Sequence, residues 1–419
     1  MRTRLLLAAG CLLLGAATAA AQTAPVLFEG ARLIPGDGRP AREDTAMLVA
    51  RGAIVRIAAR GEIPLPAGAA RIDLTGKTVM PPLIGTHVHP GFQRGLSYGA
   101  ANYTRETILD DLRRALRFGV STVLSQGIDR GDVAFQIRDE QRGGARLGAR
   151  LMLAGRGIGA PNAGPGLAAF AGIAYEIRTA EDARASVREL ASRRVDIVKI
   201  WVDDRGGRAP KLAPALYRAV IDEAHRFGLR VTAHVFYHDD AEDLVAAGVD
   251  AFSHMVRDRE MSDALVAAIV KQGIYVNANM ANPRRATYDS LPPFLRDGDP
   301  MLSLLRATTP GDVIERMRAS FTGRDPDAVA TARERYDILR RSLAKLAAAG
   351  ARVVIGADTG LEDHLFGYAE QLELEALVEA GMTPAAAIVA ATSRGAAFLH
   401  LEDAGVLADG RRADFLVLN

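Results

Sequence analysis

Apolar and polar positions along the chain follow two rhythms. Short runs rich in Val, Ile and Leu recur at 78–86, 121–125, 149–154, 195–202, 230–236, 250–254, 274–279 and 352–357. Such runs have no polar side to show to water, so each is a candidate strand covered on both faces. Between them apolar residues return every three to four positions, as at 104–117, 181–193, 212–227 and 261–272, which predicts amphipathic helices. Eight strand–helix repeats predict a parallel sheet, and that count favours closure into a (β/α)8 TIM barrel. The interval 284–349 is too long for a single connection. Its part 326–349 predicts a barrel helix, while 283–325, with Pro283, Pro292, Pro293, Pro300 and Pro310, predicts an inserted lid-like region.

Residues 25–80 break this pattern. Runs at 26–28, 46–49 and 54–57 are separated by turn residues such as Gly36-Asp37-Gly38 and Thr75-Gly76-Lys77, which predicts a small β unit. One further candidate strand, Ala413–Leu418, stands at the C-terminal end. The expected organisation is a flanking β-sandwich begun by 22–80, a barrel over 81–404, and a return to the sandwich over 405–419.

The first 21 residues obey neither rhythm. Arg2 and Arg4 precede an apolar stretch from Leu5 to Ala17, and Ala19-Ala20-Ala21 offers a small-residue cleavage site. This pattern predicts a signal peptide and a periplasmic or secreted mature protein. The stretch is too short to span a bilayer comfortably, so no membrane insertion is expected after cleavage. Loss of residues 1–21 removes two arginines and no acid, leaving 50 basic against 50 acidic side chains. That balance gives no reason to expect nucleic acid as a partner and leaves a small-molecule substrate. Cys11 is the sole cysteine, so a mature chain has neither disulfides nor a catalytic thiol.

Candidate chemistry collects where barrel strands end, which is where barrels of this kind carry their sites. The first strand ends in His87-Val88-His89, the fifth in His234, the sixth in His254 and the eighth in Asp358. Residues i and i+2 of a strand point the same way, so His87 and His89 can reach one ion together. Imidazole and carboxylate donors suit zinc and similar divalent ions. The fourth strand carries Lys199 among Ile197, Val198 and Ile200, in a chain with only five lysines. Burial favours the neutral amine, the form that reacts with CO₂, whereas arginine never deprotonates.

These residues together resemble the amidohydrolase superfamily, and its imidazolonepropionase-like and prolidase-like members in particular. The resemblance rests on PPLIGTHVH (81–89), the lysine strand, the two later histidines, GAD (356–358), ELEALVEAGMTPAAAIVAAT (373–392) and GVLADGRRADFLVL (405–418). It implies two divalent metal ions, zinc by preference. His87, His89, Asp358 and a carboxylated Lys199 would hold one, and Lys199, His234 and His254 the other. It also implies that Asp358 moves the proton from the attacking water to the leaving amine. Members usually continue with more strands after the position of Asn419, so a truncated β unit is expected.

Candidate substrate contacts follow the same strand-end logic: Arg156 after strand three, Tyr237 after strand five, Arg257 after strand six and His364 after strand eight. Either arginine could clamp a substrate carboxylate. His238 is a candidate for lining the mouth, and GRGIGAPNAGPG (155–166) for a loop bordering the pocket. The expected activity is cleavage of a small amide bond in a dipeptide or an N-acyl amino acid, by a possible homo-oligomer. Two alternatives stand beside it. One is cyclic amide or imidazolone opening, or deamination, with a single metal. It is disfavoured because Tyr237 stands where a deaminase resemblance would require Glu. The other is a non-catalytic binding protein.

Overall fold

The computed structural model describes residues 24–166, 170, 172–360 and 364–419. The expected signal peptide lies outside them. Eight barrel strands are present: Leu83–Val88, Val120–Ser125, Arg150–Leu153, Val198–Val202, Val231–Val235, Ala251–Phe252, Tyr275–Asn277 and Arg352–Val354. They pair in parallel from the first to the third and from the fourth to the eighth. Two backbone hydrogen bonds join these arcs into a ring. Asp196 N donates to Leu153 O at 2.8 Å between strands three and four, and Thr86 N donates to Ile355 O at 2.9 Å between strands eight and one. The fold is a TIM barrel.

Local chemistry explains where elements start and stop. Thr104 accepts from Thr107 N and starts helix Arg105–Arg117, while Thr179 and Asp182 form a reciprocal capping box at helix Ala180–Ser192. The run expected as one strand over 78–86 is two. Thr78–Met80 belongs to the flanking unit, Leu83–Val88 begins the barrel, and Pro81-Pro82 separates them because neither proline has an N–H to give a ladder.

The flanking unit gathers strands from both ends of the described chain. Its strands hydrogen-bond as one six-stranded sheet: Val26–Leu33, Arg42–Ala50, Ala53–Ala59, Ala70–Asp73, Thr78–Met80 and Leu416–Leu418. Two small apolar clusters serve it, one around Leu27, Ala46, Ala58 and Ile63, the other around Leu33, Met47, Ile54, Val79 and Leu407. The region expected as a lid is a packed helical layer. Its helices Pro300–Arg306 and Gly311–Ala319 bury Leu302, Leu305, Val313 and Met317 against Phe118, Tyr368 and Leu372. Among the described residues no helix is long and apolar enough to cross a membrane.

Candidate metal centre and active site

The barrel brings His87, His89, Lys199, His234, His254 and Asp358 to one end of its interior. Lys199 and His87 are each 1% exposed, so neither amine nor imidazole has bulk water to solvate a charge. His87 Nε2 and His89 Nε2 lie 3.3 and 2.8 Å from the same oxygen, Asp358 Oδ1. Ligand atoms of these three residues all fall within 4.8 Å of one another. Asp358 holds this position with a left-handed φ of 57°, a strained conformation for a residue with a Cβ. Its other oxygen accepts from Asn282 Nδ2 at 3.1 Å.

The second half of the centre lies alongside. The His234 and His254 rings stand 4.6 Å apart, and His254 stands 4.9 Å from His87. His254 Nδ1 lies 2.5 Å from Asn279 Nδ2, which leaves Nε2 as the other ring nitrogen to offer a ligand. His234 Nε2 is 2.9 Å from Asp203 Oδ2 and 3.3 Å from Arg205 Nη1. Lys199 Nζ donates to Gln126 Oε1 at 3.0 Å and to Ser253 Oγ at 2.5 Å. Gly127 lets this lysine pass: a Cβ there would sit 2.8 Å from Lys199 Cγ and 2.9 Å from the Trp201 ring, at a φ of +90°.

Electrostatics prepare these groups as ligands. Burial pulls the Lys199 amine well below the usual lysine range, against the pull of Asp358 and with help from Arg205 and Arg257. Burial likewise holds His87 and His254 well below the ordinary imidazole value and His234 at about 3. For Asp358, burial raises the pKa, but His87, His89 and His254 outweigh it and keep the group a carboxylate. Neutral imidazoles, an ionised carboxylate and a neutral amine are the forms that carry lone pairs. The donor set therefore fits divalent ions. The tight convergence belongs to His87, His89 and Asp358, and His234 and His254 are not part of that 4.8 Å group.

The proposed substrate contacts divide. Arg156 is not a clamp: Nε donates to Ile173 O at 2.7 Å and Nη2 to Ala174 O at 3.1 Å, over the Tyr175 ring. It ties the glycine-rich loop to the strand that follows. His238 does not line the mouth. It is 3% exposed, and its Nε2 accepts from Ser262 N at 3.0 Å at the start of helix Asp263–Gln272. His364 is buried behind Asp358 with Nδ1 2.9 Å from Ala357 O, and burial holds its pKa at about 3. That position suits holding the strand-eight turn. Tyr237 donates to Asp204 Oδ1 at 2.8 Å at the rim. Arg257 lies at the centre itself.

Several site residues carried no signal in the sequence reading: Gln126, Asp203, Arg205, Ser253, Asn279 and Asn282. Their one legible mark was position. Gln126 follows strand two, Asp203-Asp204-Arg205 follow strand four, and Asn279 follows strand seven.

The sequence model of the amidohydrolase family matches residues 78–419. This chain belongs to the amidohydrolase family. The family is typically metal-dependent, in keeping with the donor set. An uncharacterized protein of Mycobacterium tuberculosis is 27% identical over 223 residues, 52% of this chain and 54% of that protein. The match thus spans about half the length of that curated relative. Among solved structures, a Xaa-Pro dipeptidase with bound methionine in its active site superposes with a TM-score of 0.73. It is 21% identical, over 94% of this amidohydrolase and 93% of that chain. Phenylurea hydrolase B gives 0.70 at 22% identity, over 94% and 91%. Such likeness establishes the common barrel.

Proposed function

We propose that this amidohydrolase is a hydrolase of carbon–nitrogen bonds, exported, that cleaves a small amide in a dipeptide or N-acyl amino acid at a binuclear metal centre. The observation that carries the reading is the meeting of His87 Nε2 and His89 Nε2 at Asp358 Oδ1, with the buried Lys199 amine close enough to feel the Asp358 charge. His87, His89 and Asp358 would hold one ion, His234 and His254 the other, and a carboxylated Lys199 would bridge them. Two divalent ions, zinc by preference, would supply Lewis acidity to the attacking water and the scissile carbonyl.

The chain's own residues do the rest. The neutral Lys199 amine is poised to add CO₂, and Gln126 Oε1 and Ser253 Oγ fix its position. Asp358 takes the proton released by the attacking water and returns it to the departing amine nitrogen as the C–N bond breaks. Asn282 steadies the carboxylate through its Oδ2. The barrel walls exclude bulk water, so each of these charges acts at close range. Export is supported by Arg2, Arg4, the apolar stretch and the Ala19–Ala21 site. The Xaa-Pro dipeptidase neighbour supports an amide substrate.

Metal analysis of purified protein tests the centre. Two ions per chain and a Lys199→Ala variant that loses both metal and at least about 10³-fold in kcat/KM are expected. One ion, with Lys199→Ala fully active, would replace the binuclear reading with a mononuclear one.

A further inference from the structure

Among the described strand-end arginines, Arg257 has no hydrogen bond or ion pair from any of its guanidinium nitrogens. Its backbone N donates to Phe236 O, and its guanidinium lies over the Phe236 ring, 5.2 Å from the centroid. Among the described residues that guanidinium makes no hydrogen bond or ion pair, and Nε is buried without a partner. A half-buried cation with unspent donors is costly, and proteins keep such groups where something arrives to meet them. Arg205, by contrast, has both terminal nitrogens committed, Nη1 to Asp203 Oδ2 at 3.0 Å and Nη2 to Gly164 O at 3.0 Å, with only Nε left over.

Place adds direction. Arg257 follows His254 by three residues, and its charge is felt at Lys199, His234 and His254. Aromatic rings stand beside His89. The Phe170 ring stands 6.1 Å from His89 and packs with Phe92, Tyr98 and Trp201. One acid, Asp129, borders this wall, and it is spent on Ser125 Oγ and Gly155 N. A free ammonium would find no carboxylate to spare on that side among the described residues, whereas a hydrocarbon group would find aromatic faces.

We infer that Arg257 receives the carboxylate of the substrate's amino-acid half while an apolar acyl group lies toward the His89–Phe170 side, so that N-acyl amino acids rather than dipeptides are the substrate class. This rests on the amide-cleaving reading above. A planar guanidinium stacked on Phe236 presents its edge as a fork, the geometry that meets a carboxylate with two parallel hydrogen bonds. The unpaired charge is then neutralised only when a substrate acid is bound.

The test compares N-benzoylglycine, its carboxamide and glycylglycine on the metal-loaded wild type, Arg257→Ala and Arg257→Lys. Wild type is expected to favour the free acid, and Arg257→Ala to raise the KM of the acid roughly 10- to 100-fold more than that of the carboxamide. Arg257→Lys should recover part of the loss, because a point charge attracts a carboxylate without matching its geometry. Metal content and thermal midpoint serve as folding checks. If neither variant folds, the wild-type contrast between acid and carboxamide decides alone. Equal turnover of acid and carboxamide by wild type overturns the Arg257 assignment and leaves amide cleavage standing. Faster cleavage of glycylglycine overturns the acyl orientation. Calorimetric binding of N-benzoylglycine without any cleavage keeps the carboxylate site and removes the amide-cleaving reading.

Discussion

Among the described residues, two groups of histidine and carboxylate bring ligand atoms within 4.8 Å of one another: His87, His89 and Asp358 at the mouth, and His238, Asp239 and Glu242 on a helix nearby. By composition they are near equals. They differ in what else claims their lone pairs. His238 Nε2 already accepts from Ser262 N, Arg259 pairs with Asp239, and both acids of that group are exposed. At the mouth, the histidines are buried, their Nε2 atoms face only a carboxylate, and the His89 Nδ1 is buried without a partner. Closeness of ligand-type residues is therefore a weak sign of a metal centre. Dry, uncommitted lone pairs are the stronger sign.

Substitutions can break or sharpen that contrast. The largest effect is expected at Asp358. Asp358→Asn keeps the shape but cannot carry the proton, and kcat should fall about 10²- to 10⁴-fold in steady-state assays. A smaller effect of a different kind is expected at the other group. His238→Ala leaves Ser262 N without its acceptor, so unfolding measurements should show a loss of about 1–3 kcal/mol with metal content and kcat unchanged. Loss of an ion from His238→Ala would erase the distinction between the two groups.

A third effect, read only as a pH dependence of stability, concerns a buried acid that belongs to neither group. Asp111 sits on helix Arg105–Arg117 and accepts from Gly91 N at 2.8 Å. Burial raises its pKa to about 7, against the Gly91 hydrogen bond and the charge of Arg114. Here the folded state keeps a proton that the unfolded chain has released, so the contribution to stability is lost as pH rises from about 4 to about 7. Asp111→Asn should cancel roughly 2–4 kcal/mol of that fall, read as the difference between variant and wild type in unfolding free energy at pH 4.5 and pH 7.5. Parallel pH profiles for the two proteins would show that Asp111 ionises freely.

The barrel was legible because its strands are runs of branched apolar residues and its helices repeat on a helical period. Both patterns record burial, which is local information. The gathering of His87, His89, Lys199, His234, His254 and Asp358 at one end followed from strand ends sharing one face of a barrel. Other features depend on contacts made far along the chain. Nothing near Arg156 announces that Ile173 and Ala174 will take its donors, and nothing near Arg257 announces that they will be left free. His238 looked like a mouth residue until Ser262, on the next helix, claimed its nitrogen. Gln126 and Ser253 passed unnoticed because an uncharged polar residue just past a strand is common. Their importance appears only when Lys199 reaches them.

The pairing of Leu416–Leu418 with Thr78–Met80 bears on the order of events during synthesis. Thr78–Met80 leads through two prolines into the strand that carries His87 and His89. Its antiparallel neighbour emerges from the ribosome only after nearly all of the described chain has been made. The first pair of histidines thus waits, with one edge of its supporting sheet open, until the last described strand docks. If the chain crosses a membrane unfolded, that docking occurs on the far side. The centre would then be assembled from whatever metal ions that compartment supplies.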